Sequence, residues 1–514
     1  MRQRRDFLKL AIAGALGGAG AVVADSLWSA EAATPAVPPG PPMPFGPDTV
    51  LALSRDLAKK PFEAPTTTLP DPFNNLTYEQ YVSIRTKPTA AIWAGDNIGF
   101  ALEPLHRGFI FSTQMDIYLV DNGLAQRLAY DRADFDFGKL QVPADLPDIG
   151  FSGFRVLQTT QRGGQSEIVI FQGASFFRAK ARGQNFGVSA RGLSIRTAEP
   201  QGEEFPIFRA VWIEKPTLAA DALVIHALLD SGSLTGAYRF TLRPGEATII
   251  DTELTLTSRV AVEHYGLNAM SATYLFGPLD HKRTDDLRPA VYEVNGLQML
   301  TGKGEWLWRP VSNRNTLQIS AFLDENPKGF GLLQRSRSFD AFQDDDQHWE
   351  ARPSLWVEPI GDWRDGEIRL VEIPSDTENN DNIIAYWRPK EAIGANAEVA
   401  FAYRQFWCWT PPARPDLATV VGSRSGKVGK RQRFLVDFSS ESFAKPEAMA
   451  PIKPNLSAAP GKILWMRTVP TAERKNFRVA FDLEPSSDGF SEFRLVLEAD
   501  GKPVSETWLY RWTV

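Results

Sequence analysis

The sequence predicts an all-β fold, a large N-terminal β-sandwich followed by an immunoglobulin-like β-sandwich, and three observations predict it. From about residue 90 onward, short β-branched and aromatic runs alternate with Gly, Pro, Asn and Asp, and helical periodicity is scarce. The single cysteine, Cys408, allows no intrachain disulfide, so a packed core must hold the fold. A chain of 514 residues, 43% of them apolar, is long enough for two or three such cores.

Taken in order, the N-terminus reads Arg4-Arg5-Asp6-Phe7-Leu8-Lys9, then a glycine-diluted apolar run from Leu10 to Val23, then Ala30-Glu31-Ala32. That order marks residues 1–33 as a twin-arginine signal peptide with a small-residue cleavage site. The apolar run falls short of the roughly 20 residues that a bilayer core requires, so it reads as a leader and directs the mature chain to a bacterial periplasm. Residues 34–47 are proline-rich and favour an extended leader segment. One short helix is expected from Asp48, with Val50, Leu53 and Leu57 on one face. Another is expected at Thr77, where Thr77-Tyr78-Glu79-Gln80 has capping-box spacing. Ile168 to Phe171, Phe240 to Leu242, Thr248 to Leu256, Leu317 to Phe322 and Ile368 to Ile373 read as strands of a first domain over residues 48–393. Past Pro389-Lys390-Glu391-Ala392, a fresh alternation through Val399, Phe401 and Tyr403 opens a second domain over residues 397–514. It ends in two alternating runs through Phe477 to Leu483 and Phe493 to Leu497, an Asp500-Gly501 turn, and Trp508, Tyr510 and Trp512.

Charge and motif content narrow the function. The formal net charge is −6, and removing the leader takes away four basic and three acidic residues, leaving −7. With no basic stripe in the sequence, nucleic acid is not an expected partner. The five histidines, at 106, 226, 264, 281 and 348, are scattered, so a zinc site is not expected. Asp344-Asp345-Asp346 with His348 reads as a solvated acidic loop rather than a metal site. Glycine-rich nucleotide loops and a G-x-S-x-G elbow are absent, and no cofactor is expected. Cys408 lies within Phe406-Trp407-Cys408-Trp409 and reads as buried packing. Eight of the fourteen tryptophans fall between Trp306 and Trp409, with acidic residues just before or among them that include Asp285, Asp286, Glu293, Glu305, Glu350, Glu358 and Asp381. Aromatic platforms beside carboxylates suit the apolar faces and hydroxyl rims of sugars, the alternative being ordinary core packing. A pair of carboxylates would suffice to hydrolyse a glycosidic bond.

Several long motifs resemble the osmoregulated periplasmic glucan biosynthesis proteins. They include Phe171-Gln172-Gly173-Ala174-Ser175-Phe176-Phe177-Arg178, Gly304-Glu305-Trp306-Leu307-Trp308-Arg309-Pro310, Asn326-Pro327-Lys328-Gly329-Phe330-Gly331, Arg352-Pro353-Ser354-Leu355-Trp356-Val357-Glu358-Pro359 and Asp381-Asn382-Ile383-Ile384-Ala385-Tyr386-Trp387. The resemblance runs from about residue 48 to near the C-terminus, and the twin-arginine leader points to the D-type rather than the G-type member. It implies a cleft for β-1,2-linked glucan and an inverting endo-β-1,2-glucanase or a related transglycosylase. A non-catalytic glucan-binding protein that works with a membrane glucosyltransferase is the alternative. Asp381 stands at the family's general-acid position, where it must keep its proton near neutral pH although an ordinary aspartate titrates at about 3.9. The family's base lies in a His-Asp-Ser-Asp-Gly-Leu stretch, replaced here by Tyr292-Glu293-Val294-Asn295-Gly296-Leu297. If the family's base is the first Asp of that stretch, Glu293 replaces it with one extra methylene; if it is the second, Asn295 stands there and cannot accept a proton. Glu293 is the expected base. Glu305, Trp306, Arg309, Arg352, Trp356 and Trp387 are the candidate substrate-binding residues.

Overall fold

The computed structural model describes residues 40–159, 164–218, 220–280, 285–444 and 450–513. The twin-arginine segment and residues 34–39 lie outside the described residues. Among those described, no helix is long and apolar enough to cross a membrane. The chain is all-β, and it divides into one unit of residues 1–182, 189–269 and 387–407 and a second of residues 183–188, 270–386 and 408–514.

In the first unit one sheet runs Met43–Pro44, Leu124–Arg127, Asp116–Asp121, Ile207–Glu214, Leu223–Asp230, Leu234–Arg243 and Ala247–Ser258 in spatial order. A second runs Ser189–Arg191, Phe176–Ala179, Gln165–Gln172, Phe151–Thr159 and Phe100–His106. Strand alternation turns one row of each sheet inward. Phe154, Phe171 and Phe177 form a stacked ladder on one sheet, with ring centroids 5.0 to 5.1 Å apart, and Phe240 of the other sheet meets Phe171 and Phe177 at 5.5 Å. All of these rings are buried, as a sandwich core requires.

The helix Thr49–Ala58 forms where the periodicity places it, but its buried face is Val50 and Ser54, whereas Leu53 is exposed. Ser54 is held by a 3.0 Å bond from its hydroxyl to that of Thr235, so a polar anchor takes a position that hydrophobicity alone would not assign. At Tyr78–Ser83 the expected capping box is complete, with Gln80 N donating to Thr77 Oγ1 and Thr77 N donating to Gln80 Oε1. The end of the proline-rich segment is extended: Met43–Pro44 pairs with Leu124–Arg127, and Phe45 stacks on Trp212.

In the second unit, one sheet runs Ser354–Ile360, Gly329–Leu333, Gly296–Leu300, Trp306–Pro310, Thr507–Thr513, Phe490–Ala499 and Lys453–Ala459. Gly296 and Gly329 leave room for indoles, since a Cβ there would lie 2.3 Å from the ring of Trp308 and 2.2 Å from that of Trp356. A four-stranded sheet, Thr419–Val428, Arg431–Ser439, Asn476–Glu484 and Lys462–Thr471, packs its aromatic row on this sheet's last strands. Phe434 and Phe481 meet Phe493 at 4.9 and 5.5 Å, and Phe481 meets Trp508 at 6.2 Å. The four-stranded sheet and the strands Thr507–Thr513, Phe490–Ala499 and Lys453–Ala459 face each other as the immunoglobulin-like sandwich, and the expected turn forms with Asp500 and Gly501 both at positive φ.

Candidate active site

A two-stranded ribbon in the second unit places the first carboxylate. Tyr274–Phe276 pairs antiparallel with Val291–Tyr292, and Tyr274 stacks on Tyr292 at 5.4 Å. The register sets Glu293 opposite Thr273, with Glu293 N donating to Thr273 O at 2.9 Å. The Glu293 side chain folds back over the same residue: Thr273 N donates to Oε2 at 3.3 Å. On its other oxygen Glu293 meets Arg352 Nη1 at 3.6 Å. Glu293 is only 4% exposed, and a carboxylate withdrawn from water needs such a cation and such donors.

The second carboxylate comes from the turn between Asp365–Glu372 and Ile383–Pro389. Buried Asn382 fastens it, accepting from Tyr274 N at 2.8 Å and donating to Ile373 O at 3.0 Å. Asp381, the preceding residue, lies half-buried with Oδ1 3.4 Å from the Thr273 hydroxyl. That hydroxyl also reaches Asn380 O at 3.0 Å and Glu378 O at 3.4 Å. Thr273 therefore touches both candidate carboxylates, one through its backbone and one through its side chain. Its own N and Oγ1 are about 3 Å apart, which limits the separation of the carboxylates to about 10 Å.

Two arginines brace this arrangement. Arg288 binds Asp286 and Glu378 through Nη2, at 2.7 and 2.5 Å, and Asp344 through Nη1 at 2.8 Å. Burial works against its charge, but bonds from Asp286, Glu378 and Asp344 outweigh that and hold the guanidinium above its ordinary pKa. Asp344 is likewise opposed by burial, yet bonds from Arg288, Gln347 N and the Trp349 indole keep it below the usual carboxylate range. Arg352 donates to Gln347 Oε1 at 2.8 Å and to Phe186 O, and its guanidinium lies 5.0 Å from the Trp349 ring centroid.

Of the residues singled out from the sequence, Glu293, Asp381 and Arg352 come together here. Glu305, Trp306, Arg309 and Trp356 form a second group along the sheet. Half-buried Trp306 stacks on buried Trp356 at 5.8 Å, and Glu305 accepts from Thr507 Oγ1 at 2.7 Å and from Arg494. Arg309 is buried in an ion pair with Glu372 at 3.0 Å, and Glu372 also accepts from Ser312. Trp387 is buried in the first unit. Asp344, read as part of a solvated loop, is instead 6% exposed and organises that loop, while Asp345 and Asp346 are exposed as expected. Buried Cys408 is consistent with packing, its thiol pushed up to about 12 by desolvation. Thr273 and Arg288 carried no signal of a site role in the sequence, because their partners stand up to 108 positions away. Among the described residues, no group of three metal-ligating side chains occurs.

The chain matches the family model for periplasmic glucan biosynthesis protein, MdoG, over residues 45–512. It is 42% identical over 477 residues to "Glucans biosynthesis protein G" of Rhodopseudomonas palustris (strain BisA53), covering 93% of this chain and 95% of that one. It is 42% identical over 478 residues to the protein of the same name from Vibrio cholerae serotype O1 (strain M66-2), covering 91% and 87%. A third protein of that name, from Bradyrhizobium diazoefficiens, is 42% identical over 475 residues, covering 92% and 94%. These relatives carry the G designation and correct the expectation of a D-type member. That expectation rested on the N-terminal Arg4-Arg5 motif, which lies outside the matched residues. From residue 45 to residue 512, the chain belongs to the periplasmic glucan biosynthesis protein MdoG family.

Proposed function

We propose that this protein processes β-1,2-linked glucan in the periplasm as an inverting endo-β-1,2-glucanase, exported through the twin-arginine pathway. The observation that carries the reading is Thr273, which brings Glu293 and Asp381 onto one residue. A separation of at most about 10 Å is compatible with the roughly 6.5 to 9.5 Å that leaves room for an attacking water. Asp381 protonates the leaving glycosidic oxygen, and Glu293, ionised beside Arg352, takes the proton of the water that attacks the opposite face of the sugar. Half-buried Trp306 is the proposed platform for further glucosyl units, with the buried ring of Trp356 stacked behind it.

One observation favours a second reading. Glu293 is 4% exposed and has both carboxylate oxygens engaged, which suits a glucan-binding protein that hands polymer on from a membrane glucosyltransferase. Linear β-1,2-glucan incubated with the protein, Asp381→Asn and Glu293→Gln separates the readings. Shorter chains and new reducing ends are expected from the wild type alone, with glucan binding retained in both variants. Changed chain lengths without new reducing ends would assign transglycosylation. Binding by all three proteins with no change in chain length would refute the glucanase and leave the carrier.

A further inference from the structure

The four-stranded sheet of the immunoglobulin-like sandwich has two unlike faces. Phe434, Val436, Phe438, Phe477, Val479 and Phe481 are buried on the inner one. The strand register puts the intervening residues on the outer face: Arg433 opposite Asp482, Asp437 opposite Arg478, and Trp465 and Arg467 opposite Asp482 and Ala480. Arg424, Arg431, Arg433, Arg467 and Arg478 thus share one face of a chain whose net charge is −6.

The placement of the charges is more telling than their number. Asp437 is bound by both Arg424 and Arg478, and Asp482 by Arg433, with Arg431 at 3.9 Å. The two aspartate side chains are 7% and 3% exposed, whereas the four arginines are 36% to 52% exposed. Negative charge is therefore sunk into the sheet and positive charge faces solvent. With Lys462 opposite Glu484, six cationic side chains against three acidic ones leave this face at +3. Exposed apolar groups sit among the guanidinia: Trp465 lies 4.8 Å beneath Arg433 and is 38% exposed, and Val428 is 43% exposed.

We infer that this face docks on an anionic phospholipid bilayer surface. A soluble acidic polymer would satisfy the charge alone. Headgroups above an apolar layer satisfy the charge together with the exposed indole, because tryptophan partitions to the bilayer interface and arginines are drawn to anionic lipid. The inference is independent of whether Asp381 and Glu293 cleave glucan.

The test is co-flotation of the mature chain, from residue 34, with phosphatidylcholine vesicles with and without phosphatidylglycerol. Binding is expected only with phosphatidylglycerol, and it is expected to be lost at about 1 M salt, where the Debye length is about 3 Å. Each basic residue at an anionic surface contributes about fivefold to partitioning, so Arg431→Glu with Arg467→Glu should weaken binding at least about 25-fold. Lys59→Glu with Arg182→Glu, the same charge change on other surfaces, should leave it unchanged. Trp465→Ala supplies a reading that needs no charge reversal, and all variants are compared at matched thermal melts. No binding to phosphatidylglycerol vesicles, equal binding to both vesicle types, or equal losses in the two double variants would overturn the inference. Retention of a soluble polyanion without vesicle binding would also overturn it, assigning the face to an acidic polymer.

Discussion

Thr273→Val tests whether one side chain holds the site together. Valine keeps the shape of threonine and leaves the backbone N–H to Glu293 in place, so only the hydroxyl is lost, with its contacts to Asn380 O, Glu378 O and Asp381 Oδ1. Thr273 is 2% exposed, and no bulk water stands ready to replace it. A neutral hydrogen bond contributes about 0.5 to 1.5 kcal/mol net, and a buried acceptor left unpaired costs about 1 to 3 kcal/mol. Together these give about 2 kcal/mol of lost restraint on the Asp381 turn, or a 10- to 100-fold fall in the rate of glucan shortening. Because Thr273 is buried, the loss should appear in kcat, with KM for glucan little changed. Thr273→Ser restores the hydroxyl and should recover most of the rate. The assay is the production of reducing ends from linear β-1,2-glucan over a range of concentrations. A Thr273→Val protein with the wild-type kcat, or one whose whole loss lies in KM, would refute the reasoning.

Two further predictions follow from buried polar groups. His106 is enclosed by Phe73, Tyr130 and Phe135, and burial pushes its pKa down to about 4; an unfolded histidine takes up its proton near pH 6.5, so this contribution to stability is complete above about 6.5 and is lost as pH falls toward 4, by about 3 kcal/mol in all. Denaturant unfolding from pH 7.5 to 4.5 should show that slope in the wild type and a flatter one in His106→Phe, and equal slopes would count against it. Asn295 accepts from Arg335 N at 3.1 Å and lies with Nδ2 3.5 Å from Ser336 Oγ, so Asn295→Asp should lower the melting temperature and should not raise glucan shortening; a faster variant would move the base from Glu293 to position 295.

Much of the fold was legible because strand alternation is local. Thr248 to Leu256 and Phe477 to Leu483 lie inside the strands Ala247–Ser258 and Asn476–Glu484. The capping box at Thr77 was legible for the same reason, since its partners are three residues apart. Leu53 misled because its helix is anchored by Ser54 on Thr235, a contact across 181 positions. Of the site, Glu293 and Asp381 were visible only through motif resemblance. Thr273 and Arg288 were silent because their roles come from residues that the fold brings from far along the chain. The arginine face was silent too: positions 424, 431, 433, 467 and 478 form no stripe until the register of four strands lines them up.

The proposed division of labour between the two carboxylates rests on where each is held. Asp and Glu have nearly the same intrinsic acidity, so which acts as acid and which as base depends on where each is placed. Glu293 has a guanidinium at 3.6 Å and a backbone N–H at 3.3 Å, both of which stabilise negative charge. Asp381 meets the Thr273 hydroxyl at 3.4 Å, a donor that has a better acceptor in Asn380 O at 3.0 Å. The Arg288 charge is committed to Asp286, Asp344 and Glu378. Glu378 belongs to the same turn as Asp381, so Arg288 steadies that turn through a neighbour three residues away. In the proposed glucanase, the cation and the donor beside Glu293 hold it charged as the base, and the Arg288–Glu378 pair fixes the turn from which Asp381 would act as the acid.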